Sequence, residues 1–115
     1  MKKLLAIALA ITLSGCAFIW PVPHDPVAFG TLVDVKIGVD GLSCSDKSNW
    51  DSVLSNVTRL QKYTELREDP QAKNISQLKD ALVKAKESKN DKFCESIVKV
   101  QKTRVDVVTN AWRGR

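Results

Sequence analysis

Three cysteines and a single histidine are the side chains of this sequence best suited to chemistry, and their spacing limits what that chemistry can be. Cys16 directly follows an apolar run, whereas Cys44 and Cys94 lie much further along the chain. A cysteine thiol can accept a lipid group, form a disulfide or bind a metal. His24 lies far from the two later cysteines in a proline-rich segment, so the ligand count and spacing of a zinc site are missing. We therefore expect no metal and no other cofactor.

The segment before Cys16 has the order of charged and apolar residues that is typical of a secretory signal peptide. Lys2 and Lys3 precede a run over residues 4–13 that is apolar except for Thr12. A transmembrane helix needs about 20 apolar residues, so this run is too short to span a bilayer. The pattern predicts an exported protein whose N-terminal segment is cleaved.

The next residues, Leu13-Ser14-Gly15-Cys16, resemble the lipobox of bacterial lipoproteins, in which a leucine and two small residues precede a cysteine. The resemblance implies a signal peptide over residues 1–15 and transfer of diacylglycerol, with acyl chains such as palmitate, to Cys16. Several acyl chains hold a protein firmly at a membrane, because each buried methylene contributes about 0.8 kcal/mol. The alternative is a buried N-terminal helix with Cys16 in its core, which the paired lysines make a poor fit.

The residue after the cysteine bears on which membrane is involved. Enteric-type lipoproteins that stay in the inner membrane carry aspartate there, whereas this sequence has Ala17. By that resemblance the expected location is the periplasmic face of the outer membrane, with the protein anchored by its N-terminal lipid.

Once Cys16 carries lipid, Cys44 and Cys94 are the two cysteines that remain. Disulfides form and persist in the periplasm, so we expect a bond between them. An intermolecular bridge and two reduced thiols are the alternatives. An intramolecular bond would connect the beginning of the domain to its end.

Charge is distributed unevenly along the processed chain. Residues 16–70 hold five basic and eight acidic side chains, whereas residues 71–115 hold eleven basic and five acidic side chains. The simpler interpretation is attraction between oppositely charged helices. The other is a basic surface for lipid phosphates or cell-wall carboxylates. Its residues would be Lys79, Lys84, Lys86, Lys89, Lys92, Arg113 and Arg115.

Apolar periodicity predicts an all-α fold, a small antiparallel bundle of about four helices that follows an extended, proline-rich tether over residues 16–25. Asp25 and Pro26 form a helix start, and Gly41 ends that helix, although β-branched residues leave a strand possible over residues 32–39. The other helices are expected from Trp50 to about Glu68, after a cap at Asn74 or Ser76, and from Asp91 to Gly114. The domain would thus cover residues 26–115.

The sequence contains none of the motifs of a hydrolase, a phosphate-binding loop or a metalloprotease. Glu65, Glu68 and Asp69 alternate with Lys62 and Arg67, which predicts a solvated, ion-paired helix end rather than an acid–base pair. We therefore expect a protein that is not an enzyme.

If the protein binds a partner, its C-terminal residues are candidates for the contact. Trp112, Arg113 and Arg115 belong to the residue types that dominate interface energetics, so they are the candidates for contact with a partner. The alternative is that Trp112 packs into the core while both arginines stay in water.

The first function hypothesis is a non-catalytic binding or structural module for an envelope or inner-membrane protein. The overall pattern resembles small lipoproteins of phages and prophages, which implies two specific roles: the outer-membrane spanin subunit used in host lysis, or a receptor-blocking lipoprotein that causes superinfection exclusion. The second hypothesis is an inhibitor of a periplasmic enzyme, although such inhibitors are often β-rich. Nucleic acid is not an expected partner of an exported lipoprotein.

Overall fold

The computed structural model describes residues 23–114, and this part of the chain contains four helices and no strand. These are α1 (Pro26–Asp40), α2 (Trp50–Leu66), α3 (Ala72–Glu87) and α4 (Asp91–Arg113). Each helix packs against its neighbours in the chain, and α1 also packs against α4, which closes a four-helix bundle. The prediction of an all-α bundle is confirmed. The predicted signal peptide, Cys16, most of the predicted tether and Arg115 lie outside the described residues.

The start of α1 follows from its first residues. The Asp25 carboxylate accepts hydrogen bonds from the backbone N–H groups of Val27, at 3.0 Å, and Ala28, at 3.2 Å. Pro26 occupies the first turn, where its missing N–H costs nothing. The β-branched residues over 32–39 are helical, because the apolar spacing of the segment places one side of it against the core.

The connection between α2 and α3 differs from expectation. Glu68 adopts a left-handed conformation, with φ of 51°, and Asp69 Oδ1 accepts from the Gln71 backbone N–H at 2.9 Å. After this turn the chain becomes helical at Ala72. The prediction of a cap at Asn74 or Ser76 is therefore wrong. The end of α2 at Leu66 lies close to the predicted end, within the usual variation of helix boundaries.

Cys44 and Cys94 form a disulfide, with Cα atoms 6.0 Å apart. Both cysteines are buried and belong to the core. The bond joins the loop after α1 to the first turn of α4, at the end of the bundle that also holds the start of α2 and the end of α3. The predicted intramolecular pairing is thus present, and it connects the two helices that are furthest apart in the chain.

Every helix contributes to one core of buried apolar side chains that includes Leu32, Trp50, Leu60, Leu82 and Val105. Gln101, which interrupts the apolar stripe of α4, is nevertheless buried and accepts a hydrogen bond from Arg104 Nε at 3.0 Å. Within residues 23–114, no helix is long and apolar enough to cross a membrane.

Candidate functional site

Trp112 is part of the core and is only 3% exposed. Its indole N–H donates to Asp69 Oδ1 at 3.4 Å, which connects the end of α4 to the turn between α2 and α3. The ring is therefore inaccessible to a partner in this fold, and Trp112 takes the core position that the sequence allowed as its alternative. Arg113 is exposed beside it. Arg115 lies outside the part of the chain that the structure describes.

The basic residues do not form one surface. Lys84, Lys86, Lys89 and Lys92 lie at the end of the bundle that carries the disulfide, whereas Arg113 lies at the opposite end of α4. A separation of 21 residues along an α-helix corresponds to about 30 Å. These lysines and Arg113 therefore belong to opposite ends of the bundle rather than to one compact patch.

Two ion pairs connect helices that are neighbours in the bundle. The ammonium group of Lys86, at the end of α3, contacts the Asp51 carboxylate at the start of α2. Lys36 of α1 pairs with Asp106 of α4 at 2.7 Å. The first of these pairs joins the acidic and basic halves of the chain, as the simpler interpretation of the charge distribution expects. Both pairs are exposed and contribute little to stability, because solvent screens them.

A polar cluster that sequence reasoning missed joins the start of α1 to the end of α2. The Tyr63 hydroxyl donates to the Asp25 carboxylate, and Arg67 Nη1 donates to the Tyr63 hydroxyl at 2.6 Å. The same guanidinium lies 3.2 Å from Asp25 Oδ2. Because Arg67 pairs with Asp25 of α1, the prediction that it pairs with the neighbouring carboxylates of its own helix end is wrong. Asp69 is likewise buried rather than solvated.

The polar cluster has the character of a structural contact rather than of a catalytic centre. It borders a cavity of about 10 Å³, which has room for no more than about one water molecule. His24 lies on the rim of this cavity, with its ring 5.7 Å from that of Phe29. Among residues 23–114 there is no group of three side chains that could hold a metal ion.

The polar cluster lowers the pKa of Asp25 and raises the pKa values of Tyr63 and Arg67. The hydrogen bond from Tyr63, together with the two backbone N–H donors, lowers the pKa of Asp25 below its ordinary value of 3.8. The stability that this carboxylate contributes is fully present above about pH 4 and is lost as the pH falls through the lowered value. Burial, followed by the hydrogen bond to Asp25, raises the pKa of Tyr63 above 10.0. The stability contributed by this phenol is present below about pH 10 and is lost as the pH rises through the higher folded value.

We expect the titration of Tyr63 to report this arrangement directly, because it is the single tyrosine of the chain. The ultraviolet absorbance of tyrosinate in the folded wild type should have its midpoint above 10.0, the ordinary pKa of tyrosine. In Asp25→Asn the midpoint should move down, since no carboxylate then repels the phenolate. In Arg67→Met it should move up, since the guanidinium favours the phenolate. Equal midpoints in the two variants, or a wild-type midpoint unchanged by urea unfolding, would contradict the polar cluster.

Lys47 stabilises the other end of the bundle in a way that the sequence did not reveal. Its ammonium group donates to three backbone carbonyls at the end of α3, those of Ala85 at 3.2 Å, Lys86 at 2.9 Å and Ser88 at 2.8 Å. The last carbonyls of a helix have no partner within the helix and carry partial negative charge. A cation from the loop before α2 thus caps α3, and the same group lies 5.7 Å from the centre of the Trp50 ring.

Two surface grooves lie among residues 23–114, apart from the contacts described above. One, of about 440 Å³, lies beside the disulfide and is lined by Leu42, Ser43, Cys44 and Ser45 together with residues of α4. The other, of about 350 Å³, lies between α3 and α4 and has the more apolar lining. We call this second one the α3/α4 groove, and its residues are Asn74, Val100, Thr103, Arg104 and Val107.

Comparison with known protein families, curated proteins and solved structures finds no match to this chain.

Proposed function

We propose that this protein is a lipoprotein anchored through Cys16 to the periplasmic face of the outer membrane. We further propose that its helical bundle is a non-catalytic binding module for an envelope protein. The observation that carries the proposal is the sequence Leu13-Ser14-Gly15-Cys16 directly after a short apolar run with two lysines before it. Residence at a membrane would bring the bundle close to envelope partners.

The position of the first helix supports an anchor at Cys16. The bundle begins at Pro26, whose helix is capped by Asp25, so the first residue of the bundle lies ten positions after the cysteine. Ten extended residues reach at most about 36 Å. That length is enough to place the domain beyond the lipid headgroups while it stays attached to the membrane.

The disulfide between Cys44 and Cys94 supports export. Structural disulfides are typical of proteins in oxidising compartments such as the periplasm and are rare in the bacterial cytosol. A domain of this size has a modest core, and a covalent bond between its first loop and its last helix compensates for that.

Exposed apolar residues support binding rather than catalysis as the role of the bundle. Val100 and Val107 on α4 are each more than half exposed and line the same groove, although they belong to a regular helix. Contiguous apolar surface on a small domain commonly marks a contact with another molecule.

The anchor is tested by Cys16→Ser. The wild type should incorporate radiolabelled palmitate and be recovered with outer-membrane vesicles, whereas Cys16→Ser should incorporate none and keep its signal peptide. Ser14→Ala is the matched control, because alanine preserves the small side chain before the cysteine. Unchanged labelling and fractionation of Cys16→Ser would overturn the proposal.

The choice of membrane is tested by Ala17→Asp. By the resemblance to enteric-type lipoproteins, this variant should carry palmitate but be recovered with the inner membrane. If wild type and Ala17→Asp both fractionate with the inner membrane, the lipid anchor would stand and the outer-membrane location would be wrong.

A further inference from the structure

Helix α4 carries two parallel rows of residues with the spacing of a helix–helix contact. The inner row faces the core, and its members alternate at spacings of four and three: Cys94, Val98, Gln101, Val105, Val108 and Trp112. The outer row repeats the same spacing one residue earlier: Phe93, Ile97, Val100, Arg104, Val107 and Ala111. A spacing of 3.5 residues on average is what allows one helix to pack along another.

The outer row remains largely uncovered. Phe93 is 46% exposed, Val100 is 56% exposed and Val107 is 52% exposed. These three residues are seven positions apart, so they lie along one line of the helix surface that is about 21 Å long. An aromatic and two β-branched side chains in such a line form an apolar strip that is interrupted by a charge only at Arg104.

The α3/α4 groove lies along this strip. Val100 and Val107 form its apolar part, and Asn74 of α3 lies opposite them. At the far end of the strip the ammonium group of Lys84 lies 6.0 Å from the centre of the Phe93 ring. The part of the strip formed by Val100 and Val107 thus lies in a groove, as a surface that receives a helix requires, and Asn74, Thr103 and Arg104 form the polar part of its lining.

Arg104 gives the groove its charge. Its guanidinium donates to the side-chain oxygens of Gln77 on α3 and Gln101 on α4, which hold it in place. Two of its five N–H groups are used in this way, and it has no carboxylate within ion-pair distance among the residues that the structure describes. Lys84, beside Phe93, is likewise without an ion pair in this part of the chain. A carboxylate brought by a partner would therefore meet oriented donors at the centre of the strip and a second cation near its end.

We propose that the α3/α4 groove binds an amphipathic α-helix of the envelope partner, with apolar residues at spacings of three and four and carboxylates on its flanks. This inference rests on the proposed function, since it identifies the kind of partner that the bundle would bind. The apolar residues of the partner cover the strip, and one carboxylate pairs with Arg104. A charged contact within an otherwise apolar row sets the register of two packed helices.

A second copy of this chain is a poorer occupant. In a symmetric dimer with the two strips antiparallel, residues near the middle of the strip lie close to their own counterparts, so the Arg104 side chains of the two copies would be brought together. Like charges brought together at an interface oppose association. A helix with carboxylates on its flanks meets the same cations with opposite charge.

The experiment uses the full-length lipoprotein in a non-ionic detergent and two synthetic, fluorescently labelled peptides of about 21 residues, long enough for roughly six helical turns. Both peptides carry leucine at spacings of three and four. One has glutamate on its flanks, and the other has lysine. Fluorescence anisotropy titrations measure the dissociation constant of each peptide, and comparison between protein variants removes the part of the signal that comes from the micelle.

The glutamate-flanked peptide should bind the wild type at least about tenfold more tightly than the lysine-flanked peptide, equivalent to about 1.4 kcal/mol. The double substitution Val100→Lys and Val107→Lys should weaken binding by about tenfold or more, and Arg104→Glu should reverse the preference between the peptides. Ile37→Lys is the matched control, because Ile37 is 66% exposed on a different helix. It should leave binding unchanged, and far-ultraviolet circular dichroism should show that every variant folds.

Equal binding of both peptides, or binding that Val100→Lys and Val107→Lys do not weaken, would overturn the inference. Dimerisation of the wild type that the same double substitution abolishes would also overturn it, because the groove would then bind a second copy. None of these readouts depends on lipid attachment in the cell. A failure of the anchor proposal would appear only in the behaviour of Cys16→Ser, so the two outcomes can be told apart.

Discussion

Replacement of both Cys44 and Cys94 by alanine is expected to lower the free energy of unfolding by about 4 kcal/mol. The bond closes a loop with a sequence separation of 50, and a loop of that length removes much conformational entropy from the unfolded chain. Small domains are stable by only about 5–15 kcal/mol in total, so the loss is a large fraction. Alanine is preferred over serine because Cys94 is fully buried, and a hydroxyl there would need a hydrogen-bond partner.

Urea denaturation followed by circular dichroism measures this loss. The wild type treated with a reducing agent is the control, and it should lose nearly as much stability as the double variant. If reduction and substitution both change the free energy of unfolding by less than about 1 kcal/mol, the bond does not restrict the unfolded chain as the loop-entropy account requires.

Trp50→Ala is expected to be similarly severe, with a loss of about 3–5 kcal/mol in the free energy of unfolding. The side chain is fully buried at the start of α2, so its removal leaves a large cavity among the helices. The indole N–H also donates to the Ser43 carbonyl at 2.9 Å, which connects α2 to the loop that carries the disulfide.

Trp50→Phe separates these two contributions. Phenylalanine retains much of the apolar volume but lacks the N–H donor, so its expected loss is smaller, about 1–3 kcal/mol. Chemical denaturation of both variants, with the disulfide intact, gives the comparison. A loss below about 1 kcal/mol in the free energy of unfolding of Trp50→Ala would contradict the assignment of Trp50 to the core.

The helical architecture could be predicted because its signals are local. Asp25 followed by Pro26 marks the start of α1, Pro70 marks the break after α2, and apolar residues recur at helical spacing in between. The disulfide could be predicted because two cysteines remain once Cys16 is assigned to lipid. Each of these inferences needs only residues that are close together in the sequence, or a count of the cysteines.

The start of α3 shows where local signals compete. Asn74 and Ser76 are good capping residues, yet α3 begins earlier, at Ala72. The turn through Glu68 and Asp69 allows the helix to begin before Asn74. Asp69 is held in that turn by its hydrogen bond with Trp112. A contact with a residue 43 positions away therefore helps to determine where this helix begins.

The contacts of the candidate site were less predictable, because they also join residues that are far apart in the chain. The contact of Tyr63 with Asp25 joins residues 38 positions apart, and that of Lys47 with Ala85 does the same. Nothing in the sequence around Lys47 distinguishes a cation that caps α3 from one that stays in water. Such pairs arise only when two helix ends meet, so periodicity and composition do not reveal them.

By itself, the sequence determined that the described chain forms four helices and that Cys44 and Cys94 can be joined. Only the tertiary structure decided which side of α4 faces inward, because Val98 and Val100 belong to two apolar rows that are equally regular along the helix. The disulfide at Cys94 and the contact of Trp112 with Asp69 turn one row toward the core. Helices α1 and α3 cover only one side of α4, so the other row is left on the surface.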